Sequence, residues 1–331
     1  MLDASYLVTT PVAHETWFTE HAAPPMDWSF VGEPLTLSVL ALTVAITLLV
    51  RFASMWRNGI DIPFLGALAP YMPFAVRLHL AVSLVGLLSL GYYLSPAMEL
   101  EQDPAGVLLG ATMAVVAVGM ATGWHARWAA GLLIAAGPIG MLVFGLGPVL
   151  HRIDLLALAI CVLIWGPGRW SADYELGRAS DPTPLDAARA IWTLRLGVGG
   201  ALVIVAFAEK LANPELALRF LEHYPYFNVF REIGLPVSDT TFLTIAGGIE
   251  VLFGLLIISG ALPQLGVLIV GVPFNATLWF FGTTELVGHL PVYGAMLVLL
   301  VYGSSPELRP LVRDLAPWRR AARAEQLAPL R

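Results

Sequence analysis

PLTLSVLALTVAITLLVR, residues 34–51, runs from Pro34 to Val50 without a charge before it reaches Arg51. A bilayer's hydrocarbon core is crossed by about 20 apolar residues wound as a helix. In that medium each backbone N–H and C=O must be satisfied within the segment, which a helix does and an isolated strand does not. The stretch therefore reads as a transmembrane helix. Eight more stretches have the same character, at about 75–95, 105–123, 128–147, 150–166, 188–210, 239–261, 264–283 and 287–304. The fold expected is an all-α polytopic membrane protein of about nine transmembrane helices.

Composition agrees with that reading. The 331 residues are 57% hydrophobic and 13% charged, with a mean hydropathy of +0.75, far more apolar than a soluble domain. A formal charge of −6 provides no basic patch for nucleic acid, so the partner expected is the lipid bilayer. The single cysteine, Cys161, excludes an internal disulfide and a self-contained dithiol cycle. Thiol redox chemistry would need a partner protein. The first thirty residues carry no positive segment ahead of an apolar core, so no signal peptide is expected.

Nine spans sort the cations. Arg51, Arg57, Arg77, Arg127, Arg169, Arg178, Arg189, Arg195, Arg309, Arg313, Arg319, Arg320, Arg323 and Arg331 fall on one side, and Arg152, Lys210, Arg219 and Arg231 on the other. Because loops rich in Lys and Arg stay in the cytoplasm, the rich side is expected inside, with the N-terminus outside and the C-terminus cytoplasmic. This suits a multi-pass membrane protein. The organisation expected is an extracytoplasmic segment 1–33, a membrane half 34–166, a cytoplasmic linker 167–187, a second membrane half 188–305 and an arginine-rich tail 306–331. The linker, GPGRWSADYELGRASDPTPLD, is marked by glycine, proline and both charge signs.

The halves align. Arg77-Leu78 and Arg195-Leu196 each open a span and are followed 19 positions on by Pro96 and Pro214. Gly123 precedes His151 by 28 residues and Gly260 precedes His289 by 29, and the last spans end at Gly166 and Gly303. Tandem four-helix bundles are expected, preceded by one extra helix. The second copy alone carries Glu209, Lys210, Glu250, Asn275 and Glu285; Gly91, Tyr92 and Met113 stand opposite Glu209, Lys210 and Glu250. Any chemical site is expected in the second bundle.

Ionisable groups inside spans persist where they pair, meet water or do work. Glu250, near the middle of its span, would be compensated by Lys210, Arg195 or a bound cation, or else be a neutral acid kept for packing. Gly247 and Gly248 before it allow close helix approach. Glu285 and His289 share a helix face, and serve as a proton-exchanging pair or as an interfacial pair at a helix start. Glu209 and Lys210 end their span at the outer face, where Lys210 either acts in the site or snorkels to the headgroups. Asn275, after Pro273, faces a ligand or a neighbouring helix. Together these residues would line an outward-facing cleft, with Glu250, His289 and Glu285 as its proton-exchanging groups and Glu209, Lys210, Asn275 and Arg195 as binding groups.

Over that cleft, 211–237 has helical spacing and the aromatics Phe220, Tyr224, Tyr226, Phe227 and Phe230, which read as an interfacial lid or anchoring belt. His14, Glu15 and His21 match no closed metal-ligand set, and no metal is assigned. His79 and His151 have no haem-attachment context and read as structural.

The residues of the second copy carry a resemblance. TLRLGVGGALVIVAFAEKLANP (193–214), GGIEVLFGLLIISG (247–260) and ELVGHLPVYG (285–294) resemble the DoxX family of bacterial four-helix membrane proteins, over about residues 190–305. The resemblance implies a four-helix bundle serving as an integral subunit of a redox system; the DoxD relatives are similar to the membrane part of a thiosulfate:quinone oxidoreductase. Its implied cofactor is a quinone, and its implied partner a redox protein. This chain departs from a single bundle by its added half, its first span and its tail. Two other functions stay open: a carrier for a small solute or cation, and a non-catalytic scaffold whose arginine-rich tail meets anionic lipid or a partner.

Overall fold

The computed structural model describes residues 24–56, 59–281, 283–319 and 321–322, without the side chains of Pro273, Thr277 and residues 279–285. His14, Glu15, His21 and the end of the arginine-rich tail lie outside the described residues.

Ten helices frame the chain: α1 Pro34–Trp56, α2 Met72–Ser89, α3 Pro104–Thr122, α4 Ala126–Phe144, α5 Ile153–Trp165, α6 Pro184–Ala206, α7 Pro214–His223, α8 Asp239–Ser259, α9 Pro263–Phe281 and α10 Thr283–Gly303. Apart from one isolated bridge between Tyr92 and Glu99, no extended pairing occurs among the described residues. The chain is an all-α polytopic membrane fold. Each of the nine apolar stretches lies on one of these helices; α7 is the amphipathic tenth.

Seven helices are long and apolar enough to cross a bilayer, while Ile153–Trp165 and Pro263–Ala276 are shorter. At about 1.5 Å per residue, 13 residues of α5 cover roughly 20 Å of a core about 30 Å thick. Nine crossings therefore require both shorter helices to finish the passage with their neighbours, the turn Leu146–Leu150 ahead of α5 and the rest of α9 up to Phe281.

The local sequence explains where helices begin and end. Asp103, Thr183 and Ser238 accept hydrogen bonds from the first-turn N–H groups of α3, α6 and α8, with Pro104 and Pro184 at the first helical position. Gly123 and Gly260 end α3 and α8 in the left-handed conformation, at φ +67° and +65°.

Helices α2, α3, α4 and α5 pack in a ring, and α6, α8, α9 and α10 make a second, looser one. The rings meet through their first and last helices, α5 against α6 and α10 against α2. Small residues set the spacing at both seams. A Cβ on Gly197 would lie 2.1 Å from that of Ala157, and one on Gly294 3.1 Å from the His79 ring. The extra helix α1 leans on α8 and exposes Leu42, Leu48, Leu49 and Phe52 to the lipid. The segment after Trp165 is folded against the first ring rather than strung loosely: Ser171 and Asp173 are buried, and Ser171 caps a short helix, Ala172–Glu175.

Candidate functional site

Glu209, Lys210 and Glu250 meet at a π-helical turn, Phe207–Leu211, that ends α6. One extra residue in the turn rotates Glu209 and Lys210 out of the phase of α6, a distortion that recurs at functional sites. Asn213 then caps α7, and Pro214 at its first position stops the preceding helix from continuing.

Two glycines bring α8 to this turn. A Cβ on Gly247 would sit 2.7 Å from Leu211, and one on Gly248 2.2 Å from Val39 of α1. Helix α8 is thus wedged between the turn and α1, and Glu250, one helical turn deeper, meets Lys210. The Lys210 ammonium lies 3.1 Å from Glu250 Oε1, with the two side chains 13% and 30% exposed. Glu250 Oε2 is buried and has no hydrogen-bond partner among the described residues. Pairing offsets the few kcal/mol that an isolated charge costs at this depth. Glu209 is buried beside them at 2% exposure.

The other candidates are placed elsewhere. Asn275 is exposed on α9, and its side-chain amide donates to the Gly271 carbonyl of its own helix at 2.7 Å. It is not brought to Glu250. His289 is buried on α10, its ring 4.3 Å from that of Phe274 and 6.4 Å from that of Tyr293. Helix α10 packs on α2 and α9 while α8 packs on α6 and α1, so the histidine and the Glu250 pair belong to separate neighbourhoods. The Glu285 side chain lies outside the described residues.

Arg195 is the clearest departure from the expected site. It is buried near the opposite end of α8, donating to the carbonyls of Ile257, Ile258 and Asp314. With its N–H groups spent on backbone oxygens, it is a structural staple and not a compensator of Glu250.

Sequence reasoning missed two features. One is α1 as a wall of the site: Leu40 packs against Leu211 and Val251, and Thr43 is buried nearby. The paired glycines signalled a close neighbour but not which helix it was. The second is Arg152, which sits within electrostatic reach of both His289 and His151 and pairs with Asp154 at 3.4 Å. An arginine and an aspartate two positions apart at the head of an apolar run were its available signal.

In the first half, Met113 is fully buried at the position matched to Glu250. The acid–base pair is thus confined to the second ring. It sets a hydrogen-bond-donating amine against a carboxylate, both partly exposed, beside helix α1. The aromatics after α6 pack on one another: Phe220 is edge-on to Phe227 and beside Tyr224, at the end of α7 and the turn after it. Searches against family models, curated proteins and solved structures found no match for this chain.

Proposed function

We propose that this chain is a DoxX-like integral membrane subunit of a redox system, with a quinone meeting the chain where Lys210 and Glu250 pair. The observation that carries the reading is that pair: an amine on a π-helical turn and a carboxylate of α8, 3.1 Å apart, partly exposed and bordered by the lipid-facing helix α1. The residues fit a quinone by donor chemistry. Lys210 supplies N–H groups for a carbonyl oxygen, and Glu250 Oε2, which has no hydrogen-bond partner among the described residues, is a place to hold a proton.

A bound quinone would supply the redox centre, taking up a proton for each electron delivered by a partner protein. The chain's own part is to orient the carbonyl and to deliver the proton by way of Glu250. Topologically the reading places the arginine-rich face in the cytoplasm of a bacterial inner membrane, with nine crossings and the N-terminus outside.

Quinone content of gently purified protein tests it. Stoichiometric quinone that is lost in Glu250→Gln supports the proposal; a preparation that carries none and binds none when it is added refutes it.

A small-cation carrier is the second reading, favoured by the same mid-membrane carboxylate. Proteoliposome flux abolished by Glu250→Gln would select it. A scaffold role is selected if alanine at Glu209, Lys210, Glu250 and His289 leaves the biological function intact.

A further inference from the structure

A cavity of about 310 Å³ opens at the arginine-rich face, far from the Lys210–Glu250 pair. Its walls include Arg127 and Trp128 at the start of α4, Trp165 at the end of α5, Asp173 and Arg178 of the connecting segment, and Asp186 in the first turn of α6. That volume is at the lower end of small-molecule sites.

Charge in the cavity is incompletely spent. Asp181 is committed to Arg169, and Arg127 reaches the Ile164 carbonyl. Arg178 and Asp186, of opposite sign, have no ion-pair or side-chain hydrogen-bond partner among the described residues. Two buried groups of the wall are also unmatched: the Trp165 indole N–H and Asp173 Oδ1, on side chains 1% and 8% exposed. Asp173 spends its other oxygen on the Ala126 N–H at the head of α4. A ligand that answers this lining needs an anionic group and a hydrogen-bond-donating cation in one small head.

The cavity also has an apolar outlet. Trp128, 78% exposed, begins a stripe on one face of α4 that continues through Leu132, Ile139 and Leu142. These fall at i, i+4, i+11 and i+14, and extend about 20 Å down the lipid-facing side. A soluble zwitterion has no use for such a track, whereas acyl chains do.

We propose that this cavity is a headgroup site for a phospholipid carrying a primary amine, such as phosphatidylethanolamine, with its chains along the Trp128 stripe. The phosphate pairs with Arg178 and the helix start at Arg127. The amine donates to Asp186 and Asp173 Oδ1. A choline headgroup keeps the charge but has no N–H to donate, and a glycerol headgroup has no positive charge, so both are weaker ligands.

The test is lipid binding to delipidated full-length protein, read by native mass spectrometry with phosphatidylethanolamine, phosphatidylcholine and phosphatidylglycerol in turn. Phosphatidylethanolamine should bind at least about tenfold tighter than either rival, as expected for a charge-assisted contact. Asp186→Asn should erase that preference, and Arg178→Gln should weaken all three lipids alike, each leaving the lipid-free unfolding midpoint in place; Arg178→Lys should bind nearly as the wild type does. Equal binding of the three lipids, a preference untouched by Asp186→Asn, or affinities untouched by Arg178→Gln overturns the proposal. Competition by free phosphoethanolamine as effective as the whole lipid overturns the lipid in favour of a soluble zwitterion. If a variant unfolds, wild-type competition between the lipids still decides.

Discussion

Arg77 and Arg195 hold the same place in the two helix rings. Each is buried and donates to the carbonyl three residues before a left-handed glycine, Met120 before Gly123 for one and Ile257 before Gly260 for the other. Each also reaches the segment beyond the last helix of its ring, Pro167 and Trp170 in one case and Asp314 in the other. The guanidinium thereby ties three elements at one face, using the fork geometry that an ammonium lacks.

Replacing either arginine by lysine should cost about 2–4 kcal/mol, because buried carbonyls lose charge-assisted donors. Gly260→Ala should be at least as damaging. Its Cβ would fall 2.1 Å from the Val312 carbonyl oxygen, a backbone atom with little freedom to move. Thermal unfolding in detergent measures both effects; unchanged midpoints would show that the staples carry no load.

A double-mutant cycle isolates the Lys210–Glu250 pair. Lys210→Met alone and Glu250→Leu alone each strand a charge in an apolar wall, and each should destabilise by about 3 kcal/mol. The double replacement should recover most of that loss, since a well-packed apolar pair is often as stable as a buried ion pair. If recovery in stability is accompanied by loss of quinone binding, the pair is kept for chemistry. Additive single effects would mean that the two residues do not interact as the 3.1 Å contact implies.

How far the sequence was readable follows from the same residues. The apolar stretches coincide with helices because span length and the absence of charge are local properties. For Glu250 the sequence offered Lys210, Arg195, a bound cation or a neutral acid, and the 3.1 Å contact selects Lys210. Arg195 and Asn275 were not legible. Helices apolar on every side carry no amphipathic phase, so nothing local tells which face of α9 meets lipid. Asn275 turns to its own Gly271 carbonyl on the exposed face. Arg195 lies about four turns from Lys210 on one helix, and only the depth at which α8 docks decides which end reaches Glu250.

The Arg169–Asp181 contact makes the connecting segment sensitive to acid. Both guanidinium contacts, 3.1 and 2.8 Å, go to the one carboxylate, and the hydrogen bond to Arg169 holds Asp181 below its ordinary value of 3.8. A carboxylate depressed on folding contributes stability that is fully present above its unfolded value and is lost as pH falls through the folded one. The protection of amides 169–181 against hydrogen exchange, relative to their intrinsic rates at each pH, should therefore be unchanged between neutral pH and about 5, and should fall as pH drops below about 4. Because the pair is solvent-exposed, the effect should be within about 1 kcal/mol and should shrink in high salt. Asp181→Asn should remove this pH dependence; protection that persists unchanged in that variant would exclude the contact as its cause.

Arg152 is the exception among the buried arginines. Arg77, Arg195 and Arg309 all donate to backbone carbonyls, whereas none of the three Arg152 side-chain nitrogens has a hydrogen-bond acceptor among the described residues. Its relation to Asp154 is an ion pair at 3.4 Å between side chains 3% and 6% exposed. Desolvating such a pair costs several kcal/mol that unmatched N–H groups do not return. The double variant Arg152→Met, Asp154→Leu should accordingly match or exceed the wild type in stability, by up to about 3 kcal/mol, while Arg77→Met destabilises by a similar amount. Arg152→Met alone should be the worst of the set that touches this pair, since it leaves Asp154 as a lone buried acid. Unfolding midpoints of the three variants against wild type decide the matter. A double variant as unstable as Arg77→Met would mean that Arg152 is a staple like the others.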